Sequence, residues 1–353
     1  MKELRLMKGN EAIAEAAIRA GADAYFGYPI TPQSEILEYL IDQNPVETTG
    51  MVVLQAESEI AAINMVYGAA SAGRCVLTSS SSPGISLMAE AISYIAGAEL
   101  PCLIVNVVRG GPGLGTIQPS QADYFQSVKG CGHGDYRMLV LAPASVQEMA
   151  DFVSLSFDLA FKYRNPVMIL SDGLIGQMME KVELPEYRPR KQTEESWAAS
   201  GKPSDRGRNI ITSLCLDAPS NEQKNIRLLE KYRRMEEEET RFETYLCDDA
   251  EYIIVAYGAS ARICRKAVEL AREQGIKVGM FRPITLFPFP SKELKATSKN
   301  VKSILCVEMS TGQMIEDVRL AVDCSIPVKH YGRYGGVVYV PGEVLEAIKT
   351  IQA

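Results

Sequence analysis

The segment Gly27-Tyr28-Pro29-Ile30-Thr31-Pro32 sets two prolines three residues apart around a hydroxyl, between an apolar stretch and a helical pattern. Prolines stiffen such a turn. The Thr31 hydroxyl and neighbouring amides can face an anion, or they can simply cap the helix that follows. Glu57-Ser58-Glu59 opens a helix rich in small residues: Ala61, Ala62, Gly68, Ala69, Ala70, Ala72 and Gly73. Small residues let a helix lie close to another backbone or to a flat ligand. A carboxylate in the first turn also has an ordinary use, because it complements the helix dipole. Ser79-Ser80-Ser81-Ser82-Pro83-Gly84 is a polar turn between a strand and a helix. It can brush a cofactor, but it lacks the Gly-x-Ser-x-Gly of a nucleophile elbow, and His133 and His330 are the only histidines, which argues against a serine hydrolase.

Arg109-Gly110-Gly111-Pro112-Gly113-Leu114-Gly115 directly follows an apolar strand. A guanidinium there can form a two-pronged bond to a carboxylate or pair with a neighbouring acid. No helix with the required spacing follows, so the glycines are not a dinucleotide fingerprint. Gly130-Cys131-Gly132-His133-Gly134-Asp135 gathers three metal-type ligands, too few for a zinc centre without a second cluster. His133 reads more plainly as a hydrogen-bonding group.

The elements that must carry these segments alternate between strand and helix. Apolar strands over Ala22–Gly27, Met51–Gln55, Arg74–Ser79, Pro101–Val108, Met138–Ala142 and Val167–Ser171 are separated by helices. These helices are expected over Gly9–Ala20, from near Thr31, from Ser58 to Ala72, over Gly84–Gly97 and from Ser145. That alternation predicts a parallel α/β sheet covered on both faces. Between about 186 and 249 the character changes to dense charge, with Arg188-Pro189-Arg190-Lys191 and Glu236-Glu237-Glu238-Glu239. A charged, exposed helix over Asn221–Tyr245 inside a linker is the expectation there. A second, smaller α/β unit follows from 250 to 353, with strands at Tyr252–Tyr257, Val278–Phe281, Ser303–Val307 and Val328–Tyr331. Its helices are expected over Ala259–Gln274, after Gly312 and from Gly342. Residues 1–185 form the first domain in this reading.

The chain has 353 residues, is 46% hydrophobic and 23% charged, and carries a formal charge of −7. Two buried cores are feasible at that size, and the acidic balance argues against a nucleic-acid surface. No secretory h-region or membrane-length apolar run is visible. The eight cysteines are scattered and never form Cys-x-x-Cys, which suits reduced thiols in a cytoplasmic protein and gives an iron–sulfur cluster no home.

Taken in order, these segments resemble the α subunits of 2-oxoacid:ferredoxin oxidoreductases. Tyr28-Pro29-Ile30-Thr31-Pro32, Glu59 with Gly68-Ala69-Ala70-Ser71-Ala72-Gly73, the serine turn into Pro83-Gly84 and Arg109-Gly110-Gly111-Pro112 fall where that family has them. So do Gly258-Ala259-Ser260-Ala261-Arg262, Phe281-Arg282-Pro283-Ile284-Thr285-Leu286-Phe287-Pro288-Phe289-Pro290 and Val307-Glu308-Met309. The resemblance implies a thiamine diphosphate pyrimidine-binding domain over 1–185, a charged linker over 186–249 and a transketolase C-terminal-like domain over 250–353. It implies Glu59 as the carboxylate that hydrogen-bonds the aminopyrimidine, with Glu57 as runner-up. Thr31 and Arg109 would hold the substrate, and Tyr28, Pro29, Ile30, Ser82 and Gly84 would contact the cofactor.

Thiamine enzymes bind the diphosphate through Mg2+ at a Gly-Asp-Gly start with an Asn about a helix later. Ser171-Asp172-Gly173 is the nearest string here, and no Asn follows before Asn209. The resemblance therefore implies a β subunit that supplies the diphosphate half, the Mg2+ and a four-iron–four-sulfur cluster. It further implies a ferredoxin-like subunit, ferredoxin as electron acceptor, CoA as acyl acceptor and a hetero-oligomer containing an α dimer. The stretch Gly113–Tyr124 looks most like subunits that act on 3-methyl-2-oxobutanoate, with 2-oxoglutarate and pyruvate enzymes close behind. A non-catalytic scaffold subunit and another thiamine enzyme are the competing readings. The first is disfavoured by Glu59, Thr31 and Arg109 occurring together, the second by the Tyr-Pro-Ile-Thr-Pro segment without a diphosphate motif.

Overall fold

Continuous apolar runs such as Leu103-Ile104-Val105 and Val167-Met168-Ile169-Leu170 can be buried only where both faces of a strand are covered. The computed structural model, which describes residues 3–190, 193, 196–202 and 207–352, places them at the centre of a seven-stranded sheet. Its strand order is Thr285–Phe287, Leu139–Leu141, Pro166–Asp172, Cys102–Val108, Val76–Ser80, Ala24–Gly27, Val52–Gln55. All pairs are parallel except the first, in which Thr285–Phe287 runs antiparallel to Leu139–Leu141. The chain passes from Ala24–Gly27 to Val52–Gln55 on one side, then crosses to Val76–Ser80 on the other. Open sheets bind ligands at such a reversal, beyond the carboxyl ends of the strands.

A five-stranded sheet forms the second unit, in the order Val328–Gly332, Ser303–Glu308, Tyr252–Val255, Val278–Pro283, Phe242–Tyr245. The last strand is antiparallel to its neighbour. The α/β class with a parallel first sheet agrees with the expectation.

Several details differ from it. The Thr31 hydroxyl caps nothing: the helix begins at Ser34, and Gln33 occupies the cap position without a side-chain cap bond. The Pro32 carbonyl is taken by Asn10 Nδ2 at 2.7 Å and Gln177 Nε2 at 3.1 Å, so side chains from other elements hold this turn away from the helix. The expected helix over Asn221–Tyr245 spans Ala218–Glu238, and Phe242–Tyr245 is the edge strand just described. Helix and strand part because Glu239 is buried against Lys162, Tyr163 and Arg241, while the Arg241 carbonyl accepts from the Ile284 and Thr285 amides.

Nor is that helix a solvated rod. Leu228, Tyr232 and Met235, spaced four and three residues apart, form a buried stripe. Lys191 of the basic run, with Met1 and Lys2, lies outside the described residues. An antiparallel pair, Leu4–Lys8 with Met179–Glu183, has no counterpart in the sequence reading. No described helix is long and apolar enough to cross a membrane, and the cysteines are free thiols.

The two units share polar ties as well as sheet edges. Arg282, on strand Val278–Pro283, is buried and donates from Nη1 to Glu148 Oε1 at 3.0 Å and to Glu243 Oε2 at 3.1 Å, with Nη2 also paired to Glu148. Glu148 lies in the first turn of helix Val146–Tyr163. Replacing Arg282 with methionine leaves Glu148 without a cation among the described residues, while Glu243 keeps Arg265 at 2.9 Å, and loss of one partner from a buried pair costs about 3–5 kcal/mol. Because both acids are partly exposed here, the expected loss is about 2–3 kcal/mol, read from the denaturant midpoint of the full chain. A shift below about 0.5 kcal/mol, the range of ordinary surface changes, would show that Arg282 is not such a tie.

Candidate functional site

Five neighbouring parallel strands end side by side at Gln55, Gly27, Ser80, Val108 and Asp172. The residues that follow are those the sequence marks for chemistry, so the sheet alone brings Tyr28–Thr31, Glu59, Ser80–Gly84 and Arg109 to one edge.

Glu59 is the first residue of helix Glu59–Ser71, and it is only 7% exposed. The cap is Ser58, whose Oγ accepts from the Ala61 amide at 3.2 Å. Among the described residues no side chain or backbone group hydrogen-bonds the Glu59 carboxylate. It stands at the positive end of that helix's dipole. Its neighbour is the start of helix Pro83–Gly97: a Cβ at Gly84 would lie 2.9 Å from Glu59 Oε1 and 1.9 Å from Ser80 Oγ. Only glycine allows that approach. Glu57, by contrast, is exposed and accepts from the Ser58 hydroxyl at 2.9 Å. Of the two acids, only Glu59 is desolvated and unpartnered.

The Tyr28–Pro32 turn is held from beneath by a buried chain that sequence reasoning missed. Gln33 Nε2 donates to the Tyr28 carbonyl at 3.1 Å, and Gln33 Oε1 accepts from the Ser79 hydroxyl at 2.5 Å. Ser79 therefore receives the Tyr25 hydroxyl proton, at 2.7 Å. A polar residue at the head of an amphipathic helix gives no sign in one sequence that it points inward. Tyr28 and Ile30 are half-buried, while Pro29 and Thr31 are exposed.

Arg109 is 9% exposed and meets no carboxylate within ion-pair distance among the described residues. Instead Nη1 donates to the Thr31 carbonyl at 3.1 Å and Nη2 to the Leu114 carbonyl at 3.0 Å, while the buried Nε–H has no partner. The guanidinium thus joins the proline turn to the glycine loop and keeps one unmet donor. Its amide donates to Ser82 Oγ at 3.1 Å. Ser82 has φ of +23°, a strained value for a residue with a side chain. Asn106 stabilises it, accepting from the Ser82 amide at 3.1 Å and donating to Asp123 Oδ2 at 2.9 Å. Burial holds the Asp123 carboxyl above the ordinary range, against its bonds to Asn106 and Ser82.

Asp172 is fully occupied elsewhere. Its Oδ1 caps helix Gly173–Gln177 through the Leu174 and Ile175 amides, at 2.9 and 3.1 Å, and Oδ2 faces the Ala259 amide at 3.4 Å. Burial pushes its carboxyl up to about 6. Such a group is not free to bind a cation. His133 is exposed on a loop that closes on the Tyr136 hydroxyl, and it lies apart from the sheet edge.

Beside the serine turn a cleft of about 840 Å³ opens between the units. Ser82, Pro83, Gly111–Gly113 and Asp123 line one wall, and Met309–Thr311 with Tyr334 the other. Just outside it, helices Glu59–Ser71 and Pro83–Gly97 present an apolar surface to solvent: Ile60 is 51%, Met65 37% and Leu87 53% exposed.

Comparison with known proteins gives this geometry a family. Residues 15–243 match the model for pyruvate flavodoxin/ferredoxin oxidoreductase, thiamine diphosphate-binding. Residues 250–344 match pyruvate:ferredoxin oxidoreductase core domain II. The chain is 52% identical over 347 residues to the ketoisovalerate oxidoreductase subunit VorB of Methanothermobacter thermautotrophicus, covering 98% of this chain and 97% of that one. Among solved structures it is similar to the 2-oxoglutarate:ferredoxin oxidoreductase of Magnetococcus marinus, solved with 2-oxoglutarate, coenzyme A and succinyl-CoA. That match has a TM-score of 0.89 at 27% identity, and covers all of this chain and 66% of that one. A split-gene transketolase shares the fold, with a TM-score of 0.57 at 15% identity over 97% of this chain and 93% of that one.

Two glycines separate close packing from open surface. Gly84→Ala should destabilise the full chain by about 1–3 kcal/mol through overpacking against Ser80 and Glu59. Gly68→Ala, on a helix position with nothing within 4 Å, should stabilise it by about 0.5–1 kcal/mol. Thermal unfolding of both variants checks the pair; equal effects of one sign would contradict the packing described.

Proposed function

The chain belongs to the pyruvate flavodoxin/ferredoxin oxidoreductase family, and from that premise we propose that it is the pyrimidine-side α subunit of a 2-oxoacid:ferredoxin oxidoreductase. The reaction is the oxidative decarboxylation of a 2-oxoacid with CoA, giving acyl-CoA, CO2 and reduced ferredoxin. The observation that carries the reading is a buried, unpartnered Glu59 at a helix N-terminus, beside an uncovered apolar helix face.

Thiamine diphosphate, when bound, supplies the carbon nucleophile and the electron sink for decarboxylation. The residues present fit its pyrimidine end. Glu59 offers a desolvated carboxylate to share a proton with the ring, and Gly84 leaves room for nothing larger between that carboxylate and Ser80. Tyr28, Pro29 and Ile30 form the stiff turn beside it, and Ser82 stands at the head of the facing helix. They do not fit its diphosphate end, since Asp172 is already a helix cap and no group of three metal-type side chains gathers among the described residues. A β subunit therefore supplies the Mg2+ site and the iron–sulfur cluster, docking on Ile60, Met65 and Leu87. Ferredoxin, a ferredoxin-like subunit and a second α chain complete the proposed assembly, which we assign to the cytoplasm. Residues 1–185 carry the pyrimidine site, 186–249 the connection and 250–353 the second domain.

Arg109 and Thr31 orient the substrate: the arginine ties the proline turn that carries Thr31 to the glycine loop that lines the cleft. For substrate choice, 3-methyl-2-oxobutanoate is favoured. Leu114 and Ile117 expose apolar side chains on the adjoining loop, and no Lys, Arg or His lines the cleft to meet the second carboxylate of 2-oxoglutarate.

The test is co-expression with a candidate diphosphate-binding chain, followed by CoA-dependent viologen reduction on a panel of 2-oxoacids. Activity should require the complex and be highest with 3-methyl-2-oxobutanoate; a preference for 2-oxoglutarate or pyruvate would replace the substrate and keep the mechanism. Glu59→Gln should lower kcat by about 10²–10⁴-fold with the complex intact, the range of a lost proton-transfer group. Glu57→Gln should stay near wild type. Retained turnover in Glu59→Gln would overturn the assignment, and an intact, thiamine-loaded but inert wild-type complex would favour the scaffold reading.

A further inference from the structure

The second unit contributes no group to the chemistry just proposed, yet it grips the loop that follows Arg109 at atom after atom. Gln121, 2% exposed, makes five of those bonds to the second unit. Its Nε2 donates to the Tyr257 carbonyl at 2.9 Å, while Oε1 accepts from the Ser260 hydroxyl at 2.5 Å and from the Met309 amide at 2.9 Å. Its own amide donates to the Met309 carbonyl at 2.9 Å, and its carbonyl accepts from the Tyr257 hydroxyl at 3.2 Å. On either side, Ser120 Oγ donates to the Met309 carbonyl at 3.2 Å and Gln313 Nε2 to the Ala122 carbonyl at 2.7 Å.

These bonds rest on a rigid base. Glu308 is fully buried and accepts from the Ser310 hydroxyl at 2.7 Å and from the Gln313, Met314 and Ile315 amides at 3.1, 3.0 and 3.2 Å. It therefore fixes the turn that presents Met309 and Gln313. A second hold lies further up the loop. Gly336, with φ of +97°, brings its backbone so close that an added Cβ would sit 2.5 Å from Gln118 Cβ. From the gripped segment a short path leads to the site: Asp123 to Asn106, Asn106 to Ser82, and Ser82 to the Arg109 amide.

We propose that Gln121 is a positioning residue for the 2-oxoacid: through it the second unit sets the place of the 110–123 loop, and so of Arg109 and Ser82. A buried amide is a poor way to add adhesion, since an apolar side chain of the same size would avoid its desolvation. What it provides is direction. It locks the side chain, amide and carbonyl of one residue to three fixed points, which sets register as area cannot. This inference rests on the proposed substrate role of Arg109, and its test separates the two.

Gln121→Glu and Gln121→Leu each remove the donor to the Tyr257 carbonyl; Ser260→Ala is the milder variant should those fail to fold. In the full chain, hydrogen exchange of residues 110–123 should quicken by about tenfold or more, the equivalent of one or two lost hydrogen bonds. Exchange in strand Cys102–Val108 should not change. In the assembled enzyme, KM for the 2-oxoacid should rise by about tenfold while kcat stays within about threefold. Unchanged exchange in the loop overturns the inference whatever the enzyme does. A fall in kcat with KM unchanged, or loss of protection in Cys102–Val108 as well, overturns it in favour of a purely structural role. Quickened loop exchange in a chain whose wild-type complex is inert would leave the grip in place and remove the function proposed above.

Discussion

A largely buried carboxylate with no hydrogen-bond partner among the described residues is the feature around which the first unit is organised. Glu59 stands at a helix N-terminus, the positive end of the dipole, and against Gly84, where no Cβ intrudes. The strand order puts that helix at the reversal of the sheet, and the buried run from Tyr25 through Ser79 to Gln33 holds the neighbouring turn in place. Protein interiors accept an unmet polar group where something else completes it. In the proposed assembly that completion comes from the side of the exposed Ile60, Met65 and Leu87.

The second unit acts at a distance from this carboxylate. Its ties to the first are polar and specific: Gln121 with Tyr257, Ser260 and Met309, and Arg282 with Glu148. They converge on the glycine loop and on the first turn of helix Val146–Tyr163. The glycines that free the loop to approach a substrate also leave it without stiffness of its own, so its place must be set from outside. Ser82, strained at positive φ, is held by Asn106 on one side and Arg109 on the other.

Much of the parallel sheet was legible because doubly buried strands read as unbroken apolar runs, and because proline and glycine punctuate their ends. The Tyr28–Pro32 turn, the serine turn and Arg109 stood out because they follow strand ends, whereas the roles of Glu59, Thr31, Ser82 and Arg109 came from the resemblance to the family. What escaped was set by tertiary contact. Thr285–Phe287 is too short to announce itself, and it joins a sheet more than a hundred residues away in the chain. Phe242–Tyr245 follows a helical pattern that continues into it, and only the burial of Glu239 ends the helix. Gln33, Asn106 and Gln121 carry the polar framework of the site, yet an amide side chain looks the same in a sequence whether it faces water or a buried carbonyl. Arg109 was expected to hold a substrate carboxylate or to pair with a neighbouring acid; among the described residues it pairs with no acid and bonds two backbone carbonyls.

The proposed division of the cofactor site between two chains is tested most directly by calorimetric titration of thiamine diphosphate with Mg2+ into this chain alone and into its complex with the proposed diphosphate-binding partner. Saturable, stoichiometric binding is expected in the complex and none in the chain alone, because Asp172 is spent as a helix cap. Equal affinity in the isolated chain would contradict a split site and place the diphosphate half among the residues of this subunit.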